Sequence, residues 1–421
     1  MKRLLQVIFL ATIVDFYYFP VAFTFIPSNI NSKMIVAAFG LAAFAYRCIR
    51  EKSVNFSTRT IVAAILAVTF SLWCYFSAIS NATYDMTYVT YWTSFATWMG
   101  GAYGVYVVLK SIEEKPDLGA ISKYLLIICV SQCIIALLID NIPAFDSLVG
   151  KVFSQATDYY KLNDRLYGIG CALDPAGVRF SAVLVLVGYQ MVHNDDVTGK
   201  VSSLARYLVG FLIVTVVGSM IARTTTVGAL MALVYIFFMN AAVKRGGFVQ
   251  KKQLWFFALL IGLALVFFFV ATSLYNSSPE ARKWIRFGFE GFFNWVETGE
   301  FSTRSTDILM ENMWVWPENF HDWIIGTGRY GVFVWGTDIG YCNFTLYCGL
   351  IGLALFASFF IYTNLSFNSK FKDFYLLSLF LIALQAIIWA KVATDIFLLD
   401  ALLLCIDGDN LDEVLHEAGT E

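Results

Sequence analysis

The chain has 421 residues, of which 59% are hydrophobic, 17% aromatic and only 14% charged, and its mean hydropathy is +0.68. A soluble domain carries about 25% charged residues, so these values exclude an ordinary soluble protein and indicate an all-α, polytopic membrane chain. The net charge of −2 gives no basis for a nucleic-acid partner.

A spanning helix needs about 20 apolar residues. Twelve candidate runs follow one another, with cores near 4–26, 33–48, 60–80, 88–110, 119–140, 173–193, 206–222, 225–243, 254–274, 339–363, 372–390 and 392–406. The second is short, and the last is short and charged. The N-terminal MKRLLQVIFLATIVDFYYFPVAF reads as the first span rather than a cleaved signal, because no small-residue cleavage site follows its apolar run. Lys and Arg fall in alternate connections: Lys2 and Arg3; Arg47, Arg50, Lys52 and Arg59; Lys110, Lys115 and Lys123; Lys200 and Arg206; Lys244, Arg245, Lys251 and Lys252; Lys370 and Lys372. By the positive-inside rule these connections and both termini are cytoplasmic. The acidic end 407–421 is then a cytoplasmic tail. The chain reads as one polytopic domain, 1–421, with a smaller outer segment at 141–172, partly helical and amphipathic.

The eight Cys mostly lie inside apolar runs, without zinc spacing or a disulfide framework. Cys129 and Cys133, one helical turn apart, read as buried thiols. No metal or cofactor is expected.

Ionisable groups in or near a bilayer are costly, about 2.5–3.5 kcal/mol at a helix centre. Asp15, Lys391, Asp395 and Asp400 read as structural, with Lys391 and Asp395 spaced as an i,i+4 pair. Asp174, Pro175 and Arg179 mark the outer start of the sixth run, preceded by Arg165 in NDRLYGIG. Arg223 in SMIARTTTVGALMA is pinned in a short turn between two runs and breaks the positive-inside pattern. Its ordinary reading is an Arg snorkelling to headgroups. Its functional reading is an anion clamp, a guanidinium fork beside hydroxyls and helix-start amides.

The longest connection, 275–338, is a large outer loop rich in charge and tryptophan. It holds Trp284, Trp295, Trp314, Trp316, Trp323 and Trp335, with Arg282, Lys283, Arg286, Arg304, Arg329 and His321. A loop of this length either functions or stays disordered, and its composition is that of a folded one. Arg304 is flanked by Ser302, Thr303, Ser305 and Thr306; its ordinary role is an ion pair with Glu300 or Asp307. Arg329 reads more simply as a solvated charge, and His321 as an ordinary loop residue. GTGRYG at 326–331 has the G-x-G-x-x-G form, but no βαβ unit surrounds it. Gly326, Gly328 and Gly331 therefore read as turns that return the loop to the membrane. Asp338, just before the tenth run, is placed to be an N-cap.

Four places resemble the O-antigen polymerase (Wzy) and O-antigen ligase superfamily of membrane glycosyltransferases. They are Arg223 in ARTTTVGAL, Arg304 through Trp314, DWIIGTG at 322–328, and GLIG at Gly349–Gly352. The likeness covers about residues 165–365. Eleven residues before Gly349 the ligase branch has His then Asn; this chain has Asp338 and Ile339, which favours the polymerase branch.

The resemblance implies a GT-C-like fold and a bacterial inner-membrane polymerase that joins undecaprenyl-pyrophosphate-linked oligosaccharide repeat units on the outer face. It implies Asp338 as the catalytic base, with His321 as runner-up. Arg223, Arg304, Arg329, Arg179 and Arg165 would bind pyrophosphate. A chain-length regulator and a flippase are the protein partners it suggests. An O-antigen ligase remains open. So does a lipid-linked oligosaccharide flippase or secondary transporter, although no paired broken helices are visible in the sequence.

Overall fold

The computed structural model describes residues 2–52, 57–162, 165–242, 251–367 and 374–406. The tail from 407, and the basic residues Lys244, Arg245, Lys370 and Lys372, lie outside the described residues. The helices in chain order are α1 (Lys2–Tyr18), α2 (Ser32–Glu51), α3 (Thr58–Ser80), α4 (Tyr91–Ile112), α5 (Leu118–Asn141), α6 (Pro143–Val152), α7 (Thr157–Leu162), α8 (Leu173–His193), α9 (Asp195–Thr198), α10 (Val201–Ile221), α11 (Thr224–Ala242) and α12 (Lys251–Ser277). Five short helices follow: α13 (Pro279–Gly288), α14 (Glu290–Thr298), α15 (Arg304–Asn312), α16 (Phe320–Ile324) and α17 (Val332–Trp335). The chain then forms α18 (Gly340–Leu365), α19 (Phe374–Trp389) and α20 (Phe397–Ile406).

Each of the twelve apolar runs contains a helix, but among the described residues six helices, α2, α3, α5, α8, α10 and α18, are both long and apolar enough to cross a bilayer. The chain is thus a mostly helical, multi-pass membrane protein. The short second run becomes a full 20-residue helix. The first run does the reverse. Its helix stops at Tyr18, just before Pro20, which lacks the N–H a continuing helix needs. Beyond it Ala22–Phe23 (β1) pairs antiparallel with Phe153–Ser154 (β2), the only strands among the described residues.

The fold divides into two compact units: Met1–Ser32 with Ile112–Phe301, and Lys33–Ser111 with Ser302–Glu421. In the first unit α8 is buried along most of its length and packs most extensively on α11. A side chain at Gly228 would overlap the Ser181 backbone, so α11 approaches α8 at a distance only glycine allows. Deeper in this unit Gln132 of α5 donates to both carboxylate oxygens of Asp15, at 2.9 and 3.0 Å. The same amide exchanges hydrogen bonds with the backbone of Ile169, its oxygen accepting from Ile169 N and its nitrogen donating to Ile169 O.

In the second unit α18 packs on α3 and α19. Phe70 stacks on Phe356 with ring centroids 4.3 Å apart, and Phe356 stacks on Trp389 at 5.4 Å. These offset aromatic pairs bind the core of the unit through three helices.

Candidate functional site

The main irregularity of the second unit lies inside α18. Gly349 has φ 68° and ψ −179°, a conformation essentially confined to glycine, and it divides the helix in two. A break in a spanning helix frees carbonyls that lipid cannot satisfy, so protein groups must take them up. They do. Thr327 donates to Leu346 O through its backbone N (2.7 Å) and its hydroxyl (2.8 Å). Gly328 N (3.0 Å) and Ser77 Oγ (2.9 Å) donate to Tyr347 O. Trp73 Nε1 donates to Cys348 O at 2.8 Å.

Thr327 and Gly328 belong to the turn GTGRYG, while Trp73 and Ser77 reach in from α3. Gly326, Gly328 and Gly331 all have positive φ (88°, 64° and 108°), the geometry expected of glycine turns. Residues after α3 hold the turn in place. Asn81 donates to Gly326 O at 2.9 Å and Thr83 to Gly328 O at 2.7 Å. Asp85 accepts from Tyr330 N at 2.7 Å, while its own carbonyl accepts from Tyr347 Oη at 2.9 Å. Burial pushes the Tyr330 hydroxyl above its ordinary value, although a hydrogen bond with Tyr88 opposes the shift.

Behind the break the unit turns polar again. Gln385 of α19 donates to Thr394 O and accepts from Ile396 N, and Trp389 Nε1 also donates to Thr394 O, so the stretch before α20 is pinned from α19. Asp395 caps the start of α20 by accepting from Phe397 N at 3.0 Å. Lys391 and Asp395 lie in this non-helical stretch, so a spacing of four does not place them on one helix face. Asp400 of α20 is fully buried and accepts from Asn364 of α18 at 3.0 Å.

In the first unit the arginines singled out in the sequence fall into a charged cluster. Arg223, in the turn between α10 and α11, forms an ion pair with Glu290 of α14. Its guanidinium lies 4.6 Å from the Phe287 ring centroid, and that of Arg165 lies 5.3 Å from the same ring. Thr224 donates to Asp174 at 2.7 Å. Burial pulls the Arg223 guanidinium below its ordinary value; the charge and hydrogen bond of Glu290 oppose this, Arg165 adds to it and Asp174 opposes it. The guanidinium stays charged, since its ordinary value is far above neutral. Two cations and two carboxylates meet here, so their formal charges cancel. Arg179 lies on α8, its guanidinium 5.9 Å from the Phe19 ring, with its carbonyl accepting from Tyr18 Oη.

The other singled-out residues lie in the second unit, on its exposed face. Arg304 is the first residue of α15, which Thr303 caps by accepting from Thr306 N at 3.2 Å. The hydroxyls of Thr303 and Thr306 also bond each other at 2.9 Å, so they serve the helix start. Arg329 is exposed, with its carbonyl accepting from Trp335 Nε1. His321 is exposed beside its neighbour Asp322, Nδ1 to Oδ1 3.1 Å. Asp338 is exposed and is not a cap. The cap residue of α18 is Ile339, whose N donates to the Thr337 hydroxyl at 3.1 Å, while Asp338 O accepts from Ala393 N.

Residues 47–153 match the family model DMT_YdcZ, described as "Putative inner membrane exporter, YdcZ". No curated protein and no solved structure matches the chain. The match corrects the resemblance drawn from the sequence. An exporter model is neither a polymerase nor a ligase model, so the O-antigen superfamily, the glycosyltransferase activity and the polymerase function are set aside, and with them the base roles of Asp338 and His321. The motifs behind that resemblance have local physical causes. ARTTT carries an ion pair and three hydroxyls bonded to neighbouring helices, GTG caps a broken helix, and GLIG contains the break.

The sequence reading missed Trp73, Ser77 and Asn81, which look like ordinary residues near the end of a span. A signal was present at Gly349, a glycine in the middle of an apolar run, but only a backbone angle distinguishes a break from a tolerated helix glycine. Trp73, Ser77, Asn81 and Asp85 all lie inside the segment that matches the exporter model.

Proposed function

We propose that the chain is a multi-pass inner-membrane transporter that exports a solute. The match of residues 47–153 to the exporter model carries this reading. The broken helix α18 supports it, because discontinuous helices with freed backbone groups are where transporters build their solute and ion sites. Arg165 and Arg223 are the residues on which an anionic solute would act, by competing with Glu290 for the Arg223 fork.

The reading is tested by comparing solutes in the medium and in the cells between a strain overproducing the chain and a strain lacking it. At least one solute should rise in the medium of the first and accumulate inside the second. Identical profiles, with the protein present in the membrane, would remove the export reading.

The proposed orientation, with both termini in the cytoplasm, rests on the alternation of basic connections. It is checked by a cysteine at Thr298, an exposed residue of α14. That cysteine should react with an impermeant thiol reagent in intact spheroplasts; reaction only after permeabilisation would reverse the orientation.

A further inference from the structure

The interior of the second unit contains a carboxyl group with too few partners for its charge. Asp400 and Asn364 are both 0% exposed, and Tyr91 only 6%. The Asn364 amide is oriented by two acceptors: its Nδ2 donates to Phe360 O at 3.1 Å and to Asp400 Oδ2 at 3.0 Å. Turning the amide over would lose both bonds, so Asn364 Oδ1 is fixed as an acceptor. Among the described residues, that oxygen and Asp400 Oδ1 are buried side-chain atoms with no hydrogen-bond partner. The other titratable groups facing the pair are Tyr91 of α4 and Asp395 ahead of α20, whose negative charge acts on Asp400.

An ionised carboxylate held here would have one neutral donor and a second acid for a neighbour. An uncompensated buried charge is strongly disfavoured, and intramembrane ionisable residues mark functional sites. The missing element is positive charge. A metal ion does not fit, since no group of three or more metal-ligating side chains exists among the described residues. A sodium ion needs about five or six oxygens, more than the two side-chain oxygens left without a partner here. One proton fits: on Asp400 Oδ1 it neutralises the carboxylate and supplies the donor that the Asn364 oxygen lacks. Carboxylic acid and primary amide are then complementary, each giving and accepting one hydrogen bond.

We propose that Asp400 is a proton-binding residue, paired with Asn364 at the α18–α20 contact, through which export is coupled to proton movement. The coupling rests on the transport reading given above; the binding of the proton does not.

The test is infrared spectroscopy of the purified full-length chain in detergent at neutral pH, labelled with carboxyl-¹³C aspartate and without any solute. An isotope-shifted band of a protonated carboxyl should be present and should vanish in Asp400→Asn. It should change frequency in Asn364→Leu, which removes the amide partner but keeps the acid. It should survive in Asp15→Asn, which deletes the interior acid of the first unit, and it should be indifferent to replacing potassium by sodium. A band that persists in Asp400→Asn overturns the assignment. So does a band that disappears in sodium, which would make the bound cation sodium. Should Asp400→Asn fail to accumulate, absence of the band from the Asp15→Asn protein overturns the proposal just as well. A band that behaves as expected beside unchanged solute profiles would leave the proton site standing and remove export alone.

Discussion

Replacing Gly349 by Ala should damage the second unit more than any other single methyl addition along α18. Two costs combine. A non-glycine residue at φ 68°, ψ −179° carries about 1–3 kcal/mol of backbone strain. The added Cβ would also overlap the carbonyl of Ile324 and the N of Ile325. These are backbone atoms, so relief means moving the 324–328 turn. That movement removes the bonds from Thr327 N, Thr327 Oγ1 and Gly328 N to the freed carbonyls of α18, each worth about 0.5–1.5 kcal/mol net. The sum is about 3–7 kcal/mol, a large share of the roughly 5–15 kcal/mol that holds a typical domain folded. The control is Gly262→Ala in α12, where a Cβ meets nothing within 4 Å; it should be neutral or stabilising by up to about 1 kcal/mol, the helix preference of Ala over Gly. Both variants and the parent are purified in the same detergent and melted while loss of the monodisperse species is followed. Gly349→Ala should melt far below the parent or fail to accumulate, while Gly262→Ala melts at or above it. Equal melting of the two alanine variants would mean that the break is not a fixed feature of the fold.

Trp73→Phe keeps the ring but removes the donor to Cys348 O; the orphaned buried carbonyl should cost about 1–3 kcal/mol, read as a lower melting midpoint than that of Ser77→Ala, because Tyr347 O keeps its bond from Gly328 N. Arg223→Ala and Glu290→Ala remove one side each of an ion pair whose side chains are only 16% and 23% exposed. Each should destabilise by about 1–3 kcal/mol, and the double variant by less than the two added together, the signature of a coupled pair in a double-mutant cycle; strict additivity would show that Glu290 is not the partner. At the connection between α4 and α5, burial raises Glu113, but hydrogen bonds from Lys123 (2.7 Å) and Tyr124 with the Lys123 charge outweigh it and hold its carboxyl below the ordinary range. The sign follows: a depressed folded value adds stability above the ordinary carboxylate pKa of about 4.3, lost as pH falls through the folded value. Thermal midpoints across pH 3–6 should therefore drop more for the parent than for Glu113→Gln, and parallel curves would deny Glu113 that contribution.

What the sequence made legible was the part of the fold governed by apolar length. Runs of about 20 apolar residues become helices for a reason that needs no tertiary context, since lipid leaves the backbone no other partner. The start of the sixth run at residue 173 and its end at 193 coincide with α8. The failures lie where tertiary contacts decide. Tyr18 ends α1 just ahead of Pro20, and the chain beyond the proline is held extended by pairing with Phe153–Ser154, more than a hundred residues away in sequence. Asp338 precedes a helix and has the right side chain for a cap, but the threonine beside it makes the cap-like bond. The Arg223 cluster was half legible. Arg165, Arg223 and Asp174 were marked by their cost near a membrane, whereas Glu290, which neutralises Arg223, sits 67 residues on with nothing local to single it out.

Asp400 shows why the interior of a membrane protein must be read from unmet bonds as well as from charge. In the sequence it is one of four acids and bases in apolar surroundings, and a structural role explains all four equally well. The structure separates them. Asp15 has both carboxylate oxygens bonded by Gln132. Asp395 caps a helix. Lys391 sits in a turn. Asp400 alone of the four is fully buried with an oxygen that nothing fills. An asparagine at 400 would remove the buried charge and still offer an acceptor to Asn364, which also keeps its bond to Phe360 O. An acid facing Asn364 differs from an amide in that it can hold a proton and give it up, which is the role proposed for Asp400 above.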